Sequence, residues 1–243
     1  MTLPPPNAGI LKRVARALLG GLIEPNDRVL LGLSGGKDSL TLLIHLVHLQ
    51  KHFQIPFHFE AAHIKADFVG CGSAPHFLEW VREWGVVTHE IPVAILGRLK
   101  PGKKLNCWWC STQRRTELLE FARENGFTKV ALGHHLDDMI ETLLMNMAFK
   151  GQVSTMLPLM RYDHYQAVII RPLAFVSVDQ IVAYSRKEGF LQEALTCPFG
   201  QNSLRLKVRQ AIRLLSQAAP GVKENLLRST SNIQERYLYK EED

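Results

Sequence analysis

Val29-Leu30-Leu31-Gly32-Leu33-Ser34-Gly35-Gly36-Lys37-Asp38-Ser39 places an apolar run directly before a glycine turn, with an amphipathic stretch from Ser39 to Lys51 behind it. Arg28 to Leu33 reads as a short buried strand and the stretch after the turn as a helix. Where a strand turns into a helix, unpaired backbone N–H groups converge on the positive end of the helix dipole, which suits a phosphate. Gly35 and Gly36 allow the backbone to approach a ligand with no Cβ in the way. Ser34 and Ser39 add hydroxyl donors and Lys37 a mobile positive charge, while Asp38 offers a carboxylate for Mg2+ or for orienting the reacting group. The spacing is not that of the common nucleotide loop, Gly-x4-Gly-Lys-[Ser/Thr].

Strand-like and helix-period segments alternate outward from this turn. Phe57 to Ile64, Val86 to Val93, Thr128 to Leu132 and Val168 to Ile170 read as strands. Phe77 to Glu83, Thr112 to Asn125, Asp137 to Phe149 and Val178 to Glu188 read as helices. This order predicts an α/β fold, a doubly wound parallel sheet with right-handed crossovers and ligands beyond the carboxyl ends of its strands. Ile10 to Leu22 predicts an N-terminal helix, and Leu204 to Gln217 with Lys223 to Tyr237 a helical C-terminus. The expected organisation is an N-terminal helical segment at 1–26, a core domain at 27–200, and a helical extension at 201–243 packed on that same domain.

The 243 residues, 46% hydrophobic and 21% charged, lie in the ordinary globular range. A net charge of +6 and a pI near 9.2 are compatible with a polyanionic partner such as RNA. Charged residues interrupt every apolar run before it is long enough to span a bilayer, and Met1 to Asn7 lacks the order of a secretory signal. A cytoplasmic location without membrane attachment is expected. Four cysteines are too few for a disulfide scaffold, so a Cys-x-x-Cys pair points to metal or redox chemistry.

A second chemical constellation, Gly133-His134-His135-Leu136-Asp137-Asp138, follows the strand ending at Leu132. Gly133 permits close approach to a nucleotide, and Asp138 is placed to accept from Mg2+-bound water or a ribose hydroxyl. Standing alone, the two aspartates would be read as helix caps; beside the first loop, the ligand reading is the better one. His63, near the end of the second strand, is a further nucleotide-side candidate. Arg171, in Arg171-Pro172-Leu173 at a strand end, is a phosphate candidate whose competing reading is a surface ion pair. Cys107-Trp108-Trp109-Cys110 opens the helix running to Asn125, where the dipole favours thiolates. A redox dithiol, half of a zinc site and part of an iron–sulfur site all remain open at this point, although no second closely spaced pair completes a zinc site.

The turn Ser34 to Ser39 resembles the PP-loop of pyrophosphatase-type ATPases, which cleave ATP between its α and β phosphates and put AMP on the substrate. Taken in order, that turn, the cysteine pair, Gly133 to Asp138, Arg171-Pro172-Leu173 and the later Cys197 before a basic helix resemble the tRNA 2-thiocytidine synthetase family. The similarity runs from about Asp27 to Leu215, tightest from Cys107 to Leu173 and loosest from Lys65 to Lys104. The resemblance implies an adenine nucleotide alpha hydrolase-like fold, with ATP and Mg2+ served by Lys37, Asp38 and Asp138. It implies a [4Fe–4S] cluster on Cys107, Cys110 and Cys197, with sulfur from a sulfide or persulfide donor. The activity implied is conversion of cytidine 32 in the tRNA anticodon loop to 2-thiocytidine through an adenylated base. Three thiolates leave one iron open. Members often carry another cysteine three positions after the third ligand; this chain has Gly200, which fits an open iron. Trp108 and Trp109 read either as a shield for the cluster or as core packing, and Cys71 as an incidental thiol.

Arg205, Arg209 and Arg213 recur at i, i+4 and i+8, so they line one side of the C-terminal helix. Arg114 and Arg115 follow the cysteine pair and Lys100, Lys103 and Lys104 precede it. A solvated face is the usual fate of such charges, yet beside the proposed ligands they suit a tRNA backbone. A homodimer is a further expectation for such an enzyme. Two other readings stay open: the same chemistry on a uridine or a small molecule, and an ATP-binding metal or redox regulator without transferase activity.

Overall fold

Residues 1–53, 57–68, 76–191 and 204–238 are described by the computed structural model. The elements are α1 (Ala8–Ala17), β1 (Arg28–Gly32), α2 (Lys37–Phe53), β2 (His58–Ala66), α3 (His76–Glu83), β3 (Thr88–Val93) and α4 (Cys107–Glu124). They continue with β4 (Lys129–Ala131), α5 (Leu136–Lys150), β5 (Leu159–Tyr162), β6 (Tyr165–Ile170), α6 (Val178–Lys187), α7 (Leu204–Ala218) and α8 (Val222–Ser229). The chain groups into two compact units, one built on Met1–His135 with the stretch starting at Leu157, the other on Leu136–Met156 with the C-terminal helices.

In the first unit a six-stranded sheet has the order β3-β2-β1-β4-β6-β5. All pairings are parallel except that of β5 with β6. Both faces are covered. Val29, Leu31, Ala131 and Ile170 point into one core with α1, α2, α3 and α6, while Leu30, Val130 and Ile169 point into another with α4. Burial on both sides is why β1 reads as an unbroken apolar run rather than an alternating one. Side-chain caps fix three helix starts: Asn7 on α1, Asn106 on α4, and Ser177 with Gln180 as a capping box on α6.

The doubly wound α/β expectation holds, with four local differences. β5 is a strand beyond those expected: a short edge strand, half-buried, with an irregular register between Met160 and Tyr162 that carries little periodic signal. The first helix is α only to Ala17 and continues as a π-helical turn, Leu18–Leu22, kinked at Gly21. The helix expected over Lys223 to Tyr237 stops at Ser229. There Thr230 Oγ1 and Ser231 Oγ donate to the carbonyls of Leu227 and Arg228, competing with further helical bonding. The segment Leu136–Met156, expected within the core domain at 27–200, groups instead with the C-terminal helices. Leu136 and Ile140 of α5 share a small core with Val208 and Ile212 of α7. Among the described residues no helix is long and apolar enough to cross a membrane.

The N-terminal segment is tied to α2 by a buried histidine. His45 Nδ1 lies 2.7 Å from the Thr41 carbonyl and must donate to it, which leaves Nε2 as acceptor for the Asn7 N–H at 3.1 Å. Burial lowers the His45 pKa from 6.5 to about 4. The unfolded chain therefore binds more protons than the folded chain between these values. Stability is complete above about pH 6.5 and falls as pH drops toward 4, by roughly 3 kcal/mol from this group. Urea unfolding midpoints measured from pH 4 to 7 should rise with pH and level off. His45→Gln, which keeps an acceptor for Asn7, should flatten the slope; an unchanged slope in that variant would contradict the assignment.

Candidate active site

β1 lies between β2 and β4; the chain leaves β1 for one neighbour and returns to the other. This reversal opens a crevice beyond the carboxyl ends of β1 and β4, where ligands bind in open α/β sheets. The Ser34 to Ser39 turn and the Gly133-His134-His135 turn both emerge there. Gly35 takes φ +77°, a conformation that L side chains rarely adopt. Ser34 Oγ accepts from the Gly36 N–H at 3.3 Å and lies 3.1 Å from Ser39 Oγ, which donates to the Gly36 carbonyl at 3.0 Å. The turn is thus held by its own hydroxyls at the N-terminus of α2.

Gly133 joins the two turns. A Cβ there would lie 3.0 Å from Ser39 N, 3.1 Å from the Asp38 carbonyl carbon and 3.2 Å from Ser39 Cα, all backbone atoms. Lys37 Nζ sits 2.8 Å from each oxygen of the Asp38 carboxylate, and His135 Nε2 is 3.7 Å from Asp38 Oδ1. Lys37 and Asp38 remain partly exposed, so their pairing is weak and exchangeable. His63, buried, directs Nδ1 to the Leu33 carbonyl at 2.8 Å, just before the turn. Burial lowers its pKa, opposed by that hydrogen bond, and the charge of Arg114 lowers it further. His63 therefore braces the start of the turn.

Arg171 is 1% exposed, which overturns the surface ion pair as its competing reading. Its Nη1 donates to the Leu157 carbonyl, its backbone N–H to the Pro158 carbonyl at 2.8 Å, and its Nε to His134 Nδ1 at 3.4 Å. Its position makes it a brace for the turn that holds His134.

Cys107 and Cys110 lie one turn apart at the start of α4, Cys107 exposed and Cys110 half-buried. Asn106 caps that turn, its Oδ1 accepting from the Trp109 N–H at 2.9 Å. Phe68, Leu105, Asn106, Cys107, Cys110, Ser111 and Arg114 line a mostly apolar hollow of about 170 Å³. Sequence reasoning missed the cap, although Asn before a helix is a usable signal; Phe68 carries no local signal at all. The two tryptophans divide: Trp109 donates from Nε1 to the Ile95 carbonyl at 3.3 Å and packs on the core, while Trp108 is 72% exposed. Trp108 therefore does not meet the core-packing expectation. Arg115 donates to the Tyr162 hydroxyl at 3.2 Å. Cys197 and Cys71 lie outside the described residues, as does Gly200.

In the second unit, Asp137, Asp138 and Glu141 of α5 take cations from the C-terminal helices. Lys223 Nζ is 2.7 Å from Asp137, Arg205 Nη1 3.4 Å from Asp138, and Arg209 contacts both oxygens of the buried Glu141 at 2.6 and 3.2 Å. The hydrogen bonds that Arg209 donates to Glu141 raise the Arg209 pKa. Of the arginines expected to form one RNA-facing row, Arg205 and Arg209 are engaged by carboxylates from a distant segment of sequence while keeping part of their surface exposed. Arg213 is exposed.

A nucleotide-binding crevice with this loop at its mouth defines a class, and a family model described as PP-loop domain matches residues 10–193. A tRNA-cytidine(32) 2-sulfurtransferase of Pseudomonas fluorescens (strain Pf0-1) is 36% identical over 238 residues, covering 93% of this chain and 86% of the relative. Its counterpart in Geotalea uraniireducens (strain Rf4) is 35% identical over 235 residues, covering 94% and 93%. The chain belongs to the PP-loop domain family and, within it, to the family of these tRNA-cytidine(32) 2-sulfurtransferases. The U34-tRNA thiolase NcsA from Methanococcus maripaludis, solved with its [4Fe-4S] cluster, superposes with a TM-score of 0.72 at 21% identity, covering 96% of this chain and 82% of that one. At that identity the likeness speaks for the fold.

The contact at Gly133 yields a direct test. Gly133→Ala forces backbone apart at the N-terminus of α2, so it should cost about 1–3 kcal/mol of stability and at least tenfold in ATP affinity, about 1.4 kcal/mol. Urea unfolding and isothermal titration with ATP and Mg2+ would measure both. Unchanged ATP affinity would contradict the placement of the nucleotide against this turn.

Proposed function

We propose that this protein is an ATP-dependent, iron–sulfur-dependent tRNA thiolase that converts cytidine 32 of the anticodon loop to 2-thiocytidine in the cytoplasm. One observation carries the reading: the Ser34 to Ser39 turn is pressed against Gly133, and the thiol pair opens α4 at the same end of the sheet. The turns after β1, β3 and β4 all leave carboxyl ends of parallel strands. Arg114 lines the thiol hollow, and its charge acts on His63, which bonds to Leu33 at the root of the phosphate turn.

ATP and Mg2+ enter as reactants. Amides at Gly35 and Gly36 and the hydroxyls of Ser34 and Ser39 receive phosphate oxygens. Lys37 exchanges the Asp38 carboxylate for phosphate, which releases Asp38 toward Mg2+. The O2 atom of the base attacks the α-phosphorus and pyrophosphate departs. A carbonyl oxygen is a poor leaving group, whereas AMP is a good one. AMP then leaves with that oxygen as sulfur takes its place at C2. Positioning and charge neutralisation supply the rate. Asp138 is assigned to Mg2+ or ribose on its place in the Gly133 to Asp138 sequence.

The donor set fits the cluster: soft thiols one turn apart beside a mostly apolar hollow. Cys107, Cys110 and Cys197 would hold it. A bound [4Fe–4S] cluster on three thiolates would supply an open iron able to hold sulfide. A homodimer belongs to this proposal as a state to be measured.

Anaerobically reconstituted protein should be incubated with ATP, Mg2+, sulfide and unmodified tRNA, and the nucleosides analysed by mass spectrometry. The expected product is 2-thiocytidine at position 32, reduced at least about a hundredfold by Asp38→Ala and abolished by Cys197→Ser. Thiolation surviving in Cys197→Ser would overturn the three-cysteine assignment, 2-thiouridine would move the acceptor, and stoichiometric zinc in colourless protein would favour a regulator.

A further inference from the structure

Trp108 stands on the first turn of α4 between the two thiol-bearing residues, and its side chain faces solvent. Its neighbour Trp109 has the core and a carbonyl partner. Trp108 keeps 72% of its surface exposed although an indole gains more from burial than most side chains. From Ala94 to Thr116 the chain carries Arg98, Lys100, Lys103, Lys104, Arg114 and Arg115 and no carboxylate. Lys100, Lys103 and Lys104 are exposed in the loop leading to α4. An exposed aromatic ring on a stretch rich in cations, of which Arg98 is already paired with Glu117, matches a chain of phosphates with unpaired bases. It does not match an apolar protein surface, which would leave three lysines to be desolvated.

We propose that Trp108 is a stacking platform for an unpaired base of the RNA substrate, with Lys100, Lys103 and Lys104 holding the adjoining phosphates. The inference rests on the tRNA reading above and deepens it by naming the residue that presents the loop. A target base reaches an enzyme pocket only after leaving its stack. An aromatic side chain at the mouth replaces part of the lost stacking, as in single-strand binding proteins and RNA modules that use aromatic platforms. Trp108 is thus a positioning residue: it stands between Cys107 and Cys110 on the first turn of α4 and orients the loop whose base enters.

The two contacts separate by salt. Stacking releases no counterions, whereas each lysine–phosphate contact contributes to the salt slope. Binding of a 17-nucleotide anticodon stem-loop, with 2-aminopurine next to the target cytidine, should be measured by anisotropy from about 50 to 300 mM KCl on holoprotein. Trp108→Ala should weaken binding about tenfold at every salt concentration, leave the slope unchanged and abolish 2-aminopurine quenching. Trp108→Phe should restore most of both signals, and Lys103→Gln with Lys104→Gln should reduce the slope. Because Trp108 is exposed, its variants should keep the wild-type unfolding midpoint and ATP affinity. Wild-type protein that fails to bind the stem-loop would bring down the tRNA reading itself. Wild-type binding with an unaffected Trp108→Ala would overturn the platform alone, and altered sedimentation with unaltered RNA binding in that variant would assign Trp108 to a second copy of the chain.

Discussion

The contact between the turn after β4 and the first residues of α2 is the constraint on which the site depends. It requires glycine at 133, because any Cβ would press on the backbone of Asp38 and Ser39. With the two turns in contact, the amides opening α2, the Lys37–Asp38 pair and the His134-His135 segment share one crevice. Arg171 and His63 brace this arrangement from either side, one through His134 and carbonyls at 157 and 158, the other through Leu33. Neither needs to touch a ligand to matter, since displacing a reacting group by about 1 Å can cost a hundredfold in rate.

Charge is used in two ways. Lys37 and Asp38 are partly exposed and adjacent, so their attraction is modest and can be surrendered to phosphate and Mg2+. Glu141, 1% exposed, is the opposite case: its two oxygens are engaged by Arg209, and removing the arginine would leave a buried charge uncompensated. The first pair is suited to exchange during turnover, and the second to keeping α7 on α5.

Much of this was legible from residue patterns. The strand, glycine turn and helix around Ser34 to Ser39 are local features, and the alternation of elements gave the parallel sheet. The cysteine pair at the start of α4 was equally local. What escaped depends on partners far away in sequence. Arg171 looks like a surface residue until the carbonyls of Leu157 and Pro158 are brought to it. Arg205 and Arg209 look like a basic face until α5 supplies Asp138 and Glu141. Trp108 and Trp109 are indistinguishable in a string; a helical step of about 100° sends one to the core and the other to solvent. β5 escaped because an irregular edge strand has little period.

The account stands on activation of the base oxygen by adenylation at the Ser34 to Ser39 turn. Its most direct test is the fate of that oxygen. A tRNA carrying 18O at O2 of the target cytidine, turned over by reconstituted protein with ATP and sulfide, should yield AMP containing one 18O for every 2-thiocytidine formed. AMP free of label, with 2-thiocytidine present, would contradict the account.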